Sequence, residues 1–509
     1  MTIKVNIILS VLQIFNCLVS KGQAGNLDNS FGNNGIVITT ISTGNDQILA
    51  SKIQSDGRIL AAGHVYNGTN YDFAIARYKV DGKLDTSFNL NGKVTFGVGI
   101  ENDFVYSMVI QNDGKILIGG QSISSSKGYF ALARVNLNGS LDNSFGNNGK
   151  VVTSLSGKKD LAYAIAIKDD KIILAGYSTI NNGNSIAIAR YNINGEIDTT
   201  FNRTGKLIKK ITIDSLNEIQ SIAIQPNGKI VIAGFSGSST VSKFLIARYN
   251  EQGTLDTGFA KKGYTLTDFG NSYNRISSVA ILNDGKILAC GTVSSLFGYE
   301  FALVKYKYNG MLDTTFGNKG KATSEINGFN IATSMALQPD GKIILAGYSQ
   351  INSTIQFCMI RFDSVGFVDT NFGKKGFSST AIGSKMDIAN SICLQSNGRI
   401  IVAGGSNNGI KNDFAIVRYL GGETSSIQNL KIPKCLVNIY PNPSTGIINF
   451  DCDENMNIRI YNSIGSLVKE INCSGIQTLD MSNQSAGLYT IKIKTSSRQI
   501  IQKVFIIEE

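Results

Sequence analysis

An aspartate returns along this chain at a nearly fixed interval: Asp28, Asp85, Asp142, Asp198, Asp256, Asp313 and Asp369, separated by 57, 57, 56, 58, 57 and 56 residues. A period this regular over seven copies signifies tandem structural units, each burying its apolar faces against its neighbours. Repetition also accounts for the length, since 509 residues exceed one ordinary domain. Within each unit the order is constant. The Asp is followed by a stretch such as "SFGNNGKV" (144–151), a short β-rich run, a variable loop and an alternating run such as Ala162–Lys168. A tight turn comes next, Asp-Gly or Asn-Gly at 56, 113, 227, 284, 340 and 397, with Asp169-Asp170 the one departure. Such pairs between apolar alternations favour hairpins, because type I′ turns need positive φ. A third strand like "KIILAGYS", a second variable loop and a fourth strand like "FAIARY" complete the unit.

Four strands per unit, seven times over, predict an all-β, seven-bladed β-propeller across 25–420. A β-solenoid is the alternative, but its rungs are usually shorter and lack hairpin turns. The pattern "LDxSFGxxGK…DGKIL.AG…FA.ARYN.NG" resembles the delta-60 repeat, a bacterial tandem repeat of predicted propeller type. That resemblance implies architecture and no particular activity.

Two charged positions recur in every unit. One is the Asp above. The other is a base near the end of the fourth strand: Arg77, Arg134, Arg190, Arg248, Lys305, Arg361 and Arg418. Each shares a strand face with an apolar residue two positions earlier, so it should be at least half buried and need a counter-charge. The two rows are expected to form structural ion pairs, with "LDxSFG" as the connector between blades.

Little here points to catalysis or metal. Each loop offers one constant Asp and no calcium-loop pattern, and "FAKKG" and "FGKKG" put two Lys where "FGNNG" has Asn. The single His, His64, reads as a polar residue at a strand end, and no C-x-x-C or G-x-S-x-G occurs. Neither cofactor nor metal is expected. An extracellular polysaccharide-degrading enzyme is the alternative to a binding module, since carboxylate pairs suffice for it; Asp268 and Glu300 are the nearest candidates. Recognition needs loops that differ from blade to blade. That places a binding surface, for extracellular glycan or protein, on the face with the variable loops, where Tyr66, Tyr71, Tyr129, Phe297 and Tyr299 are the aromatic candidates.

The ends carry address information. Residues 1–24 combine Lys4, an apolar stretch from Val5 to Val19, and small residues at 22 and 24, as in a signal peptide cleaved after Ala24. A lipoprotein reading through Cys17 is disfavoured by Asn16. Cys290, Cys358 and Cys393 stand where sibling units carry Ala or Gly and read as core residues. The net charge of +11 has no Lys/Arg cluster, which excludes a nucleic-acid partner. After a linker at 421–434, residues 435–509 abandon the repeat and suggest a small β-sandwich, in which one disulfide among Cys435, Cys452 and Cys473 is open. Tyr440-Pro441-Asn442-Pro443, Gly446, Ile460-Tyr461-Asn462 with Gly465, Gly487-Leu488-Tyr489 and Lys503 closely resemble the type A sorting domain of the type IX secretion system of Bacteroidetes. That resemblance implies the secretion machinery as a partner, passage across the outer membrane, and a secreted or outer-membrane surface location.

Overall fold

Alternating apolar runs joined by tight turns fold into seven four-stranded antiparallel sheets, as the computed structural model shows. It describes residues 23–422 except 157, 182, 213–215, 271, 325 and 327, and in the tail 438–440, 447–451, 456–463, 465–473, 477–495 and 499–506. The first full blade is β2 (Asp46–Ile53), β3 (Ile59–Tyr66), β4 (Tyr71–Tyr78) and β5 (Lys93–Phe96), in that order across the sheet. β2 and its six counterparts, starting at Asp103, Asp160, Leu216, Asn274, Gly328 and Asp387, touch their neighbours in a closed ring around the axis. Strands two and three of each blade are almost wholly enclosed, as "IILAG" and "FAIAR" require when both faces are covered.

This arrangement corrects the expected role of the Asp stretch. β4 pairs with β5, so the "LDxSFG" loop lies inside a blade, between its third and fourth strands, and the connection between blades is the loop after the short strand. The last blade obtains its outer strand from the start of the chain: β1 (Ile36–Thr39) pairs with Asn412–Tyr419, Ile36 opposite Val417. The ring is thus sewn shut by the first repeat.

The closure reaches further back than the repeat pattern indicates. Ala24 is buried, its carbonyl accepts a 2.7 Å hydrogen bond from the Gly373 amide, and the Gln23 side-chain amide donates to the Gly373 carbonyl at 2.7 Å. In other blades the same carbonyl comes from the residue before a turn glycine, as when Asp81 accepts from the Gly32 amide at 2.9 Å. Ala24-Gly25 therefore completes the turn of the seventh blade, and cleavage after Ala24 would remove half of it. A chain starting at Gln23 should melt a few degrees above one starting at Gly25; equal melting curves would show that the two residues add nothing.

A constant irregularity shapes the blades. Every innermost strand has a bulge, for example between Ala162 and Ala164, which re-aims the intervening residue. Opposite each bulge stands a glycine, such as Gly176, where a Cβ would run into the Leu161 carbonyl oxygen. The three described thiols are core residues: Cys290 and Cys358 are buried, and Cys393 is partly so, its thiol raised by burial to about 11.

The tail is a separate compact unit from residue 425 onward. Its strands form a three-stranded and a four-stranded sheet. Ile448 and Leu479 from the first pack with Ile458, Ile460, Ile491 and Ile493 from the second. Gly465 (φ 83°) and Gly487 (φ 155°) take backbone conformations favouring glycine, and Tyr489 donates its hydroxyl to the Ser485 carbonyl at 2.8 Å. Pro441, Asn442, Pro443, Gly446, Cys435 and Cys452, the expected linker from 423 and the expected signal segment up to 22 lie outside the described residues, as do the side chains of Tyr440, Cys473 and Lys503.

Candidate functional site on the variable-loop face

The two recurring charges meet on the face of the hairpin turns. Arg77 Nε lies 2.8 Å from Asp85 Oδ2, and the distances are 2.7 Å for Arg134–Asp142, 2.8 Å for Arg190–Asp198 and 2.7 Å for Arg248–Asp256. Arg361–Asp369 is 3.0 Å and Arg418–Asp28, which joins the last blade to the first repeat, is 2.9 Å. The fifth blade differs. Asp313 is met by Lys286 at 3.0 Å, while the Lys305 ammonium sits 5.4 Å from the centroid of the Phe316 ring. Each guanidinium also covers a phenylalanine ring and donates to a backbone carbonyl beyond its own blade, and four of the six donate to a Ser or Thr hydroxyl. Arg77 covers the Phe88 ring at 4.7 Å, donates to the Ser87 hydroxyl at 3.0 Å, and donates to the Leu137 carbonyl of the next blade at 2.6 Å. Burial opposes ionisation of Asp142 and Asp198, but hydrogen bonds and the adjoining cations outweigh it. They hold Asp142 well below the usual range and Asp198 at about 2. The six arginine–aspartate pairs are thus engaged in contacts that hold the blades together, while the Lys305 ammonium meets the Phe316 ring in place of an aspartate.

A second polar row, not anticipated from the sequence, opens the innermost strands: Asp46, Asp103, Asp160, Asn217, Asn274, Asn330 and Asp387, all essentially inaccessible. These side chains fasten the loops between blades. Asp46 accepts from the Ile41 and Ser42 amides at 2.8 and 2.9 Å, and Asp160 from the Leu155 amide at 2.7 Å. Burial raises the carboxyls of Asp46 and Asp103 despite those hydrogen bonds. The signal was present as an Asp/Asn before each alternating run, one period apart.

What varies from blade to blade lies beside these anchors, where the innermost strands begin at the mouth of the central channel. The residue after each anchor is Gln47, Phe104, Leu161, Glu218, Arg275, Ile331 or Ile388; the bulged residue is Leu49, Tyr106, Tyr163, Gln220, Ser277, Thr333 or Asn390. On one side the bulge residues are small and knit neighbouring blades: Ser277 donates to the Ala332 carbonyl at 2.6 Å, Thr333 to that of Ala389 at 2.9 Å, and Asn390 to that of Ile48 at 2.8 Å. On the other they are aromatic. The Tyr106 and Tyr163 rings lie 4.9 Å apart edge to face, and Tyr163 lies 6.0 Å from Tyr177. Glu218 beside them accepts from Asn184 at 2.7 Å.

Three ring clusters follow around this face. Tyr66, Tyr71, His64 and Phe104 interlock at 5.0–5.4 Å across the first two blades. His64 thus lies within β3 and not just beyond it, and burial pushes its imidazole down to about 4, so it is neutral near pH 7. The Tyr106–Tyr163–Tyr177 cluster is second. The third runs from Tyr273 through Tyr299 to Phe329, each step 5.2 Å, and on to Tyr348 at 6.4 Å. Gly298–Tyr299 pairs in parallel with Gly328–Phe329, which joins the fifth and sixth blades along this ladder. Among the expected aromatics the structure brings Tyr66, Tyr71 and Tyr299 into clusters. Tyr129 is half-buried in the third strand of the second blade, and Phe297, 66% exposed, stands with Leu296 at a turn tip. Of the two carboxylate candidates, Asp268 is paired with Lys243 at 3.0 Å, and Glu300 is half-buried opposite Val293. Among the described residues no group of three or more His, Cys, Asp or Glu side chains is placed to hold a metal ion, and no helix is long and apolar enough to cross a membrane.

The comparisons agree with this geometry. Residues 54–88, 111–145, 168–201, 225–259, 282–316, 338–372 and 395–421 match the family described as "Domain of unknown function (DUF5122) beta-propeller", and 438–508 match "Secretion system C-terminal sorting domain". No curated protein sequence matches the chain. Similar solved structures include virginiamycin B lyase from Staphylococcus aureus, at 11% identity and TM-score 0.44, covering 75% of this chain and 98% of that one. Drosophila Plexin A in complex with Semaphorin 1b is 10% identical, TM-score 0.40, covering 78% and 88%. Sqt1 from Chaetomium thermophilum is 13% identical, TM-score 0.39, covering 76% and 99%. At these values the likenesses carry nothing about activity. The sorting domain indicates secretion or display at the cell surface and implies contact with the type IX secretion machinery. The chain is a DUF5122 beta-propeller protein, seven repeats closed into a ring, with a type A sorting domain of the type IX secretion system at its C-terminus.

Proposed function

We propose that this exported propeller is a non-catalytic binding or scaffold module that recognises an extracellular glycan or protein through its variable-loop face. The observation that carries the reading is the set of three aromatic clusters on this face, drawn from strand ends, bulges and loop-flanking positions that change between blades while the Asp and Arg rows recur. Aromatic rings held by a rigid sheet offer a large contact area at small entropic cost. The regular carboxylates argue for recognition over hydrolysis. A glycosidase needs two that reach the substrate, whereas Asp46, Asp103, Asp160 and Asp387 are enclosed.

Glycan and protein arrays probed with the full chain test this. Tyr71→Ala or Phe104→Ala, or a substitution in the Tyr299 ladder, should lose at least tenfold in affinity for whatever ligand the arrays return. Tyr308→Ala, an exposed ring on the opposite face, should bind normally. Loss through Tyr308 with retention in the other variants would sink the assignment, as would turnover of the glycan.

A further inference from the structure

Arg275 breaks the pattern that governs the other stacked arginines. Arg77, Arg134, Arg190, Arg248, Arg361 and Arg418 each cover a phenylalanine and each meet an aspartate within 3.0 Å. The Arg275 guanidinium lies over two rings, Phe235 of the preceding blade at 4.0 Å and Tyr273 of its own at 4.7 Å. Among the described residues no carboxylate pairs with it, and its buried Nε donates to nothing. The only cation among the seven residues after the strand anchors is thus held flat and half-buried at the channel mouth without an ion pair, Glu218 opposite Phe235 being engaged by Asn184. A guanidinium in that state is short of an anion, since its fork suits a planar carboxylate or a sulfate and partial burial strengthens the attraction.

The surroundings narrow the ligand. Beside the charge runs the ladder Tyr273–Tyr299–Phe329, with Phe329 36% exposed and Leu296 and Phe297 projecting at 96% and 66% from the adjoining turn. Rings in a row next to one fixed cation fit a ligand with repeating apolar faces and acidic substituents. Resting on the recognition role assigned above, we infer that the sector of blades four to six binds an acidic glycan, with Arg275 taking the carboxylate or sulfate and Tyr299 and Phe329 supporting the sugar rings. Carboxylated and sulfated sugars share this chemistry, and the experiment separates them.

Isothermal titration of the full chain uses three probes of similar length: an oligogalacturonate, a sulfated heparin-derived oligosaccharide, and a neutral cello-oligosaccharide. At least one acidic probe should bind, more weakly as salt rises, and the neutral one at least tenfold more weakly. Whichever acidic probe wins identifies the anion. Arg275→Gln should lower its affinity tenfold or more, Arg275→Lys less, and Tyr299→Ala should weaken it with the salt dependence retained. If Arg275→Gln does not fold, the Lys variant and the salt dependence of Tyr299→Ala carry the decision. Equal binding by parent and Arg275→Gln overturns the inference, as does preference for the neutral probe or capture of polyglutamate in place of any sugar. Binding lost in Tyr71→Ala but intact in Arg275→Gln would leave the broader recognition role standing and remove this one. Dependence on Tyr308 alone would remove both.

Discussion

Gly176→Ala is expected to abolish the folded propeller or lower its stability by more than about 4 kcal/mol, a larger loss than any single contact deletion. The reason is position, not conformational freedom. The bulge between Ala162 and Ala164 pushes the Leu161 carbonyl toward the second strand, and a methyl group on residue 176 would collide with backbone atoms on both sides of that peptide. Backbone cannot swing aside as a side chain can, and the Tyr177 ring that follows is buried against the mouth cluster. The same collision recurs at Gly63, Gly120, Gly234, Gly291, Gly347 and Gly404, so the test can be repeated in any blade. Gly258→Ser is the control. It has an ordinary φ of −69°, and an added Cβ would meet only Asp256 Oδ1 at 3.3 Å. The sibling residues Ser30, Ser87, Ser144, Thr200 and Thr315 donate hydroxyls to their aspartates there. Gly258→Ser should therefore melt at or above the parent temperature. Circular-dichroism melts of the two variants decide it, and a well-folded Gly176→Ala protein would refute the steric account.

Such a collision could not be read from composition, though the glycines are visible as the "AG", "GG" or "CG" of each blade's second strand. The fold itself was legible because repetition multiplies a weak signal: seven hairpin turns at one period specify the sheets more firmly than any one strand could. The phase of the blades was not legible. A circular repeat has no intrinsic start, and the short strand after "SFGNNGK" belongs to the same blade as the strand before it. Only the pairing of Ile36–Thr39 with Asn412–Tyr419 marks the boundary. The same ambiguity hid Ala24, whose role is apparent once Ala24-Gly25 is aligned with Asp81-Gly82.

The candidate site was legible only at its rim. Loop variability pointed to the side on which Tyr66, Tyr71 and Tyr299 cluster, because antiparallel strands put alternate loops on opposite faces. The interior of the site escaped because Tyr106, Tyr163 and Arg275 sit inside strands, where alternation reads them as core. A bulge, invisible in a single-strand pattern, turns Tyr106 and Tyr163 out of that alternation. Variation at a fixed strand position between otherwise similar repeats is the signal that would have found them.

Asp142→Asn carries the second large effect, and its pH dependence identifies the cause. Arg134 is buried, its Nη1 donates to the Ile193 carbonyl of the next blade, and its counter-charge is Asp142, which also meets Lys115 at 2.9 Å. Neutralising one partner of a buried pair typically costs about 3–5 kcal/mol. The asparagine can still accept from the Ser144 hydroxyl, now 2.7 Å from Oδ1, so the lower end of that range is expected. The folded-state pKa of Asp142 lies well below the value of about 3.9 for an unfolded chain. A carboxyl lowered in this way stabilises the fold fully above that unfolded value, and the contribution fades as pH falls toward the folded one. Asp198, at about 2, puts the window between roughly pH 4 and pH 2. Asp46 and Asp103 have the opposite sign: raised by burial, they favour the fold when protonated and oppose it as pH rises through their folded values. Acid unfolding is thus assigned to the outer aspartates and not the inner ones. The Asn variant should melt several degrees lower at pH 7, and the gap from the parent should narrow steadily below pH 4. A gap that is absent at pH 7, or that stays constant down to pH 2, would show that Asp142 does not lock the blades by charge.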